Sequence, residues 1–339
     1  MSKKIAIIDP VGVKAGMDYY DIGLLQGLSD LDVETYLFSN VTNDLKSIKN
    51  YNVFESFIND NWEKGWKLLK GYWKSFSFCK REKIDWVIIH VFSAQLIYFL
   101  FFILARLFGL KIITISHDVN SLADDDNSRF KKLIYKYLSN HIIVHNQYSL
   151  LQLKKIIGQK NNFSIIQQGG YPHLIDNTIT RNIAKDKLGF SYSKRYILFF
   201  GQIKSAKRLD VLIEAMQFID KDVELIIAGR PWKDDFSKYD KQIKTLKLEN
   251  KIHKFIRFIT DEEREYFMKA CDIMVLPYEE VYQSAALLMA MSYGLAIIAS
   301  DIPSFKEVIR HNDNGILFES LNSKDLSDKL NQLLEEEGR

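Results

Sequence analysis

The sequence predicts an α/β protein made of two doubly wound domains with parallel sheets, which face each other across a cleft. Short, β-branched apolar runs alternate with amphipathic stretches along the whole chain, which is typical of parallel strands joined by helices. This alternation begins twice, and 339 residues are too many for one ordinary core. We therefore expect two separate sheets.

In the first half, the apolar runs that predict buried parallel strands are KKIAIIDP, VETYLFS, DWVIIHVF, KIITISHD and HIIVHN. Helices are predicted between them, for example over residues 21–31 and 129–138. In the second half, RYILFFGQI, VELIIAGR, IHKFIRFIT, DIMVLPY and GLAIIASD repeat the pattern. The predicted helices there include residues 208–218, 261–270 and 284–293.

A polar joint over residues 169–181, which holds Gly169, Gly170 and Pro172, separates the two series. We place the first domain at 1–172, the second at 173–325 and a terminal helix with its tail at 326–339. Ligands of doubly wound sheets bind beyond the carboxyl ends of the strands, so the cleft between the domains is the expected site.

Composition excludes several classes of protein. A net charge of +3 is too small to indicate nucleic-acid binding. Cys79 and Cys271, the two cysteines, are far apart in sequence and fit neither a disulfide framework nor a metal site. The first apolar run is too short for a signal peptide and is interpreted as a strand. These features favour a cytoplasmic, reducing environment.

The longest apolar stretch, QLIYFLFFILARLFGL at 95–110, is shorter than the roughly 20 residues that a spanning helix needs, and Arg106 interrupts it. A fully buried helix is the first interpretation. A helix that dips into a membrane surface is the alternative.

A basic, aromatic segment precedes that stretch, at residues 62–83. Tryptophans and lysines interleave there, which favours contact with an anionic membrane surface; an ordinary solvated helix is the alternative. The candidate contact residues are Trp62, Trp66, Lys67, Lys70, Trp73 and Lys74.

The turn after the first strand of the second half carries three cations, Lys204, Lys207 and Arg208, and a helix follows. Cations at the carboxyl end of a strand, beside a helix N-terminus, suit an anion such as a diphosphate. A solvated basic loop is the alternative.

The segment 277–294 predicts a strand end, an acidic loop with Glu279 and Glu280, and a helix of small residues capped by Ser284. The helix amides, with Gln283 and Ala285 beside the cap, could hold a phosphate, and the acidic loop could bind sugar hydroxyls. A plain strand–turn–helix is the alternative.

Three strand ends in the first half carry candidate ligands. Gly12 and Gly16 lie in a loop before a helix that begins near Met17, and such a loop lets backbone amides approach a phosphate. His117 and Asp118 follow a buried strand, where a histidine could donate to a sugar hydroxyl. His90 ends another strand and is a candidate for the acceptor side, together with Asp118.

These segments together resemble the GT-B glycosyltransferases, whose two domains are Rossmann-like, and within them the retaining family 4. Gly201 and Lys207 match the family's Gly-x-x-x-x-x-Lys loop, although Arg208 stands where glycine is usual. The family's paired glutamates fall at Val281 and Met289. A variant pattern, Pro-Tyr-x-Glu-x-x-Gln-Ser, is present from Pro277 and includes Glu280, Gln283 and Ser284.

The resemblance implies roles for individual residues. His117 faces the donor sugar, Gly16 lies in the N-terminal glycine loop, and backbone groups of Ile259 and Thr260 contact the nucleotide base. Glu280 substitutes for the missing glutamate beside the sugar. His117, Glu280 and Lys207 are thus the candidate catalytic residues.

The function that the resemblance implies is transfer of a hexose, with retention, from a nucleoside diphosphate sugar to a glycan or polyprenyl-linked acceptor in bacterial cell-surface polysaccharide synthesis. Neither a metal nor a cofactor is expected, and the protein would lie at the inner face of the cell membrane. Two alternatives remain: an inactive subunit that binds nucleotide sugar and partners an active transferase, and a GT-B sugar-nucleotide epimerase.

Overall fold

A computed structural model describes residues 3–12, 17–41, 45–54, 62–92, 94–119, 128–158, 162–219, 222–232 and 235–336. The chain divides into two compact units, Met1–Gly169 and Gly170–Arg339. Each unit contains one parallel sheet with its own core, which confirms the predicted α/β class with two Rossmann-like domains.

Unit 1 contains seven strands in the order β3-β2-β1-β4-β5-β6-β7. They are β1 (Lys4–Ile8), β2 (Glu34–Ser39), β3 (Ile48–Asn52), β4 (Trp86–Val91), β5 (Ile112–Ser116), β6 (His141–Val144) and β7 (Phe163–Ile165). The helices are α1 (Met17–Ser29), α2 (Trp62–Arg81), α3 (Leu96–Leu107), α4 (Ser128–Leu133) and α5 (Gln147–Ile157). All the strand pairs are parallel.

Unit 2 contains six strands in the order β10-β9-β8-β11-β12-β13. They are β8 (Arg195–Phe200), β9 (Val223–Ala228), β10 (Ile252–Phe255), β11 (Ile273–Leu276), β12 (Ala296–Ser300) and β13 (Ile316–Phe318). The helices are α6 (Arg181–Leu188), α7 (Leu209–Ala215), α8 (Ser237–Thr245), α9 (Asp261–Ala270), α10 (Ala285–Ser292), α11 (Pro303–Lys306) and α12 (Ser323–Glu336). Short 3-10 turns cover Pro172–Leu174, Ser205–Lys207 and Met216–Phe218.

The core of unit 1 explains why these runs become strands. Ile7, Leu37, Ile88 and Ile115 come from four different strands and pack together, and Leu25 of α1 covers them. Continuous apolar runs are needed because helices cover a parallel sheet, so that both of its faces are buried. Burial of such side chains contributes roughly 1.5–3 kcal/mol each.

Several predicted helix bounds were wrong. The helix predicted at 21–31 begins earlier, at Met17, and ends at Ser29. The helix predicted at 129–138 continues as a π-helical turn over Ile134–Leu138. The helix predicted at 208–218 begins at Leu209, because Arg208 has a φ of 45°, and its last turn is 3-10. The helix predicted at 261–270 matches α9.

Candidate functional site

The turn after β8 is shaped by two glycines. Gly201 has a φ of 98°, in the left-handed region, and a Cβ built there would lie 3.3 Å from Nζ of Lys207. Gly229, after β9, has a φ of 151°, and a Cβ there would lie 1.9 Å from the Gly201 carbonyl oxygen. The two loops therefore approach each other more closely than any side chain would allow.

Lys207 lies at the end of the 3-10 turn, with Nζ 5.1 Å from the centroid of the buried Tyr278 ring. In the described part of the chain, no carboxylate lies within ion-pair distance of it. Burial lowers the pKa of Lys207 to about 8. A cation desolvated in this way, against an aromatic ring, interacts strongly with any anion that reaches it.

Arg208 has a different environment from the one we predicted. Its guanidinium binds Asp210, with Nη2 2.8 Å from Oδ2, and Nη1 lies 3.2 Å from Oε2 of Glu279. These hydrogen bonds, that to Asp210 above all, raise the pKa of Arg208. Two carboxylates thus compensate its charge, and it does not stand as an open anion ligand beside Lys207.

Lys204 lies near an aromatic ring: its Nζ is 5.4 Å from the ring centroid of Trp232, which is 41% exposed. The loop after β11 is fastened to this turn, since the amide of Glu279 donates to the carbonyl of Ala206 at 2.9 Å. The structure therefore connects the predicted lysine loop to the predicted donor segment through the backbone.

Helix α10 begins as predicted, with Ser284 as its N-cap. The Ser284 hydroxyl accepts from the amide of Leu287 at 3.2 Å, so this side chain caps the helix and satisfies one of its first amides. Ala285 is exposed at the first position of the helix, while Gln283 is half-buried before the cap. The Ser284 side chain does not bind the backbone amides that precede Leu287 in the helix.

Glu280 is exposed and borders a cavity of ≈ 580 Å³ in unit 2. The cavity is lined by Ser205, Ala206, Arg208, Asp210, Lys238, Tyr239, Gln242, Glu279 and Glu280. Lys207 is not among the lining residues. The structure thus places Glu280 with the Arg208 ion pairs, and Lys207 with Tyr278.

Thr260 is the N-cap of α9. Its hydroxyl accepts from the amide of Glu263, and its own amide donates to Oε2 of Glu263 at 3.1 Å, which makes a capping box. Its carbonyl accepts from the amide of Arg264 at 2.8 Å. Both backbone groups of Thr260 are therefore engaged at the start of the helix, and Ile259, the other residue predicted to contact the base, is half-buried.

In unit 1, the predicted Gly16 lies outside the described residues. Gly12, earlier in the same loop, has a φ of 48°, and its amide donates to Oδ2 of Asp9 at 2.8 Å. Asp9, which follows β1, is buried. Burial, with the nearby Asp21, raises the pKa of Asp9 to about 7.

His90 does not line an open acceptor surface as predicted, because its side chain is only 2% exposed. Its Nε2 lies 2.8 Å from Oδ1 of Asp21, and its Nδ1 lies 2.9 Å from Nε2 of His117. His117 is buried at the end of β5 and stacks on Phe92, with ring centroids 4.6 Å apart. His90 and His117 are thus brought together, through a contact that spacing in sequence does not show.

Asp21, which is buried on α1, was not predicted to have a role. A signal was present: Met17, Asp21 and Leu25 lie four residues apart on the buried face of the helix. A carboxylate on an apolar stripe indicates a polar partner beneath it. Asp118, by contrast, is half-buried, and its carbonyl accepts from the buried Lys131 at 2.9 Å.

The candidate membrane residues lie on α2. Trp66 is 69% exposed and Trp73 is 55% exposed, while Lys67, Lys70 and Lys74 are exposed. For Trp62, at the start of the helix, the side chain is outside what the structure describes.

Helix α3 is not fully buried, so the first interpretation of the apolar stretch was wrong. Phe101 and Phe102 face the core, whereas Leu100 is 47% exposed and Leu107 is 75% exposed. The Trp73 ring lies 5.1 Å from that of Phe108, just after α3, so the exposed faces of α2 and α3 adjoin. Across the described residues, no helix has the length and apolar character needed to cross a bilayer.

Known proteins resemble this chain in sequence and in fold. Residues 180–339 match the model for the family described as glycosyl transferases group 1. N-acetyl-alpha-D-glucosaminyl L-malate synthase of Bacillus anthracis is 26% identical over 156 residues, or 45% of this chain and 39% of that protein. N,N'-diacetylbacillosaminyl-diphospho-undecaprenol alpha-1,3-N-acetylgalactosaminyltransferase of Campylobacter jejuni is 39% identical over 71 residues, 21% of this chain and 19% of that protein.

Among solved structures, HepE of Anabaena in complex with UDP-glucose has a TM-score of 0.76 at 18% identity, over 99% of this chain and 90% of that one. The chain spans between 19% and 55% of the lengths of the curated relatives it matches. The protein has the two-sheet fold of the GT-B class. It resembles family 4 of the glycosyltransferases, as the sequence predicted.

Proposed function

We propose that the protein is a glycosyltransferase that moves a hexose from a nucleoside diphosphate sugar to a glycan or lipid-linked acceptor, with retention at the anomeric carbon. The observation that carries this proposal is Lys207, a desolvated cation held against Tyr278 at the carboxyl edge of the unit 2 sheet. Family resemblance and the matched relatives support the same chemistry.

In the proposed reaction, the bond between the anomeric carbon and the diphosphate breaks, and negative charge develops on the leaving diphosphate. Lys207 and Lys204, with the first amides of α10, offset that charge. Electrostatic stabilisation of this kind is usually the largest single contribution to catalysis. The acceptor hydroxyl oxygen forms the new bond to the anomeric carbon, on the face that the diphosphate leaves, and an oxygen of the leaving diphosphate takes its proton. The acceptor is thus the nucleophile, and the protein supplies none.

The donor's other contacts follow from the same arrangement. The backbone of Ile259 contacts the base, and Glu280 binds sugar hydroxyls from its place beside the ≈ 580 Å³ cavity. Arg208 acts indirectly, because its ion pairs with Asp210 and Glu279 hold the two loops together. By the family resemblance, His117 donates to the donor sugar.

We further propose that the exposed face shared by α2 and α3 rests on an anionic membrane, where a polyprenyl-linked acceptor is available. Trp66 and Trp73 lie seven residues apart on one stripe of α2, with exposed lysines beside them. Exposed leucines on α3 extend the apolar part of this face. The relative from Campylobacter jejuni, whose name includes a diphospho-undecaprenol group, is consistent with such an acceptor.

A thermal-shift screen against UDP, GDP and their common sugar conjugates tests donor binding. A ligand at one hundred times its dissociation constant stabilises the fold by about 2.7 kcal/mol, which raises the melting temperature by a few degrees. Donors that bind are then incubated with and without acceptor, and the released nucleotide and the anomeric configuration of the product are measured. Binding without any release would favour the inactive partner subunit, and release with inversion would exclude retention.

A further inference from the structure

A row of ionisable side chains lies along the carboxyl edge of the unit 1 sheet. Asp9 follows β1, His90 is the second-to-last residue of β4, His117 follows β5 and His145 follows β6. These four strands are consecutive neighbours in the sheet. The edge of Tyr20, on α1, contacts all three histidine rings at centroid distances of 5.2–5.5 Å.

Two members of this row, His90 and His117, form a chain of hydrogen bonds with Asp21 of α1. Asp21 Oδ1 lies 2.8 Å from Nε2 of His90, and His90 Nδ1 lies 2.9 Å from Nε2 of His117. The described residues supply no hydrogen-bond partner for the remaining ring nitrogen, Nδ1 of His117. The chain of hydrogen bonds therefore begins on the buried face of α1 and ends at the residue expected to face the donor sugar.

Both rings in this chain are neutral. Burial lowers the pKa of His90 to about 4, and burial together with His90 and His145 lowers the pKa of His117 well below its usual value. A neutral imidazole carries one proton, so the two bonds of His90 can be made in only two ways. Either Asp21 donates and His117 Nδ1 carries a proton, or Asp21 accepts and His117 Nδ1 is a bare acceptor.

The surroundings of Asp21 favour the first arrangement, in which Asp21 donates to His90. Its second carboxyl oxygen, Oδ2, is buried and has no hydrogen-bond partner among the described residues. Burial raises the pKa of Asp21 well above its usual value; the neighbouring Asp9 side chain opposes this shift, and the charge of Asp18 adds to it. Ionising a buried carboxyl group that has an unpaired oxygen costs free energy, so the neutral form is favoured. A neutral carboxyl group can donate a hydrogen bond.

We infer that Asp21 and His90 are positioning residues that hold His117 in the tautomer with its proton on Nδ1. Through them, His117 offers an N–H donor to a hydroxyl or anionic oxygen of the sugar donor. This role rests on the proposed function, although the tautomer itself does not. Among the described residues, the other ionisable groups placed against these hydrogen-bonded side chains are Asp9, Asp18, Tyr20 and His145.

Nitrogen-15 spectra of the full chain, labelled in its seven histidines, read the tautomer directly. Two-bond couplings to the ring carbon protons distinguish a protonated ring nitrogen from a bare one, and a His117→Gln spectrum assigns the signal. We expect Nδ1 of His117 to be protonated at neutral pH and Nε2 to be bare. The reverse assignment would overturn the inference, whatever the protein transfers.

Two variants test the link to turnover. Asp21→Asn supplies an amide N–H to His90 in place of the carboxyl O–H, so it should keep both the tautomer and most of the turnover. His90→Phe preserves packing against Tyr20 but interrupts the chain of hydrogen bonds. We expect kcat to fall by about ten- to a hundred-fold, by analogy with the loss of the hydrogen-bond partner behind a metal-ligating histidine. The KM for the donor should stay within about twofold.

The possible outcomes distinguish the positioning role of Asp21 and His90 from the proposed function. Loss of turnover in Asp21→Asn equal to that in His90→Phe, with both variants folded, would overturn the inference, because the Asn amide can still donate to His90. An unchanged kcat in His90→Phe would do the same. If the wild-type protein transfers no sugar from any donor, the proposed function fails, and the nitrogen-15 spectrum still decides the tautomer.

Discussion

The chemistry of the Lys207 side chain depends on its burial beside Tyr278. An exposed lysine would be a solvated cation at every physiological pH, whereas burial beside Tyr278 brings the pKa of Lys207 down to about 8. The same burial makes its charge more effective toward a diphosphate. Arg208, one residue later, keeps its charge but directs it at Asp210 and Glu279.

The lowered pKa of Lys207 predicts that the affinity for a nucleoside diphosphate depends on pH. The free protein carries the Lys207 cation below pH 8 and loses it as the pH rises through that value, so affinity for a nucleoside diphosphate should fall above about pH 8, by up to about tenfold per pH unit. Calorimetric titration with UDP or GDP, whichever binds, from pH 7 to 9.5 measures it. A Lys207→Arg variant that binds should lose the dependence, and a flat wild-type profile would contradict this account of Lys207.

Two elements depend on their first residues. Helix α10 is short and apolar, and its N-terminus is fixed by Ser284, whose hydroxyl holds the Leu287 amide. Helix α9 is fixed by the Thr260 and Glu263 capping box. Ser284 was predicted as a cap because it precedes an apolar run. Thr260 could have been predicted as well, because it stands three residues before Glu263 in the pattern of a capping box.

Removing the α10 cap should destabilise the protein. Ser284→Ala leaves the Leu287 amide without its acceptor and should lower the free energy of unfolding by about 1 kcal/mol, whereas Ser284→Asn, another good cap, should lower it much less. Urea denaturation followed by circular dichroism compares the two variants. Equal loss in both would mean that Ser284 stabilises the helix in some other way.

Helix α2 carries the second prediction at this scale. Replacing Lys67, Lys70 and Lys74 by alanine should weaken binding to vesicles containing anionic lipid by about two orders of magnitude at low salt, at about 1 kcal/mol per cation. Trp66→Ala should weaken it through lost apolar contact, while Trp232→Ala, which removes an exposed tryptophan from unit 2, should not. Vesicle co-sedimentation measures this, and equal effects of the two tryptophan variants would argue against the α2 surface.

At the scale of the whole molecule, the fold followed from patterns that are local in sequence. Buried parallel strands appear as continuous apolar runs, and their alternation with helices predicts the sheets without knowledge of any contact. The lysine loop and the α10 start could be predicted in the same way, because each lies within one strand–helix turn. Glycines 201 and 229, however, needed the structure to show that their two loops touch.

The site in unit 1 could not be predicted as fully, because its members are far apart in sequence. Asp21, His90 and His117 lie on three different elements, and only the order of the strands makes neighbours of β4 and β5. The sequence marked His90 and His117 as strand ends, but no spacing rule connects them. Of the two partners of Arg208, Glu279 was missed for the same reason, since it lies 71 positions away.

The central claim is that a nucleoside diphosphate sugar binds in unit 2 and that Lys207 stabilises the diphosphate as it leaves. The most direct measurement is the rate of sugar transfer by the wild-type protein and by Lys207→Ala, with Lys187→Ala, an exposed lysine on α6, as the matched control. Loss of one preorganised electrostatic group predicts a fall in kcat of about 10²–10³-fold for Lys207→Ala, with the fold intact, and no change for the control. An unchanged rate in a folded Lys207→Ala variant would contradict the account.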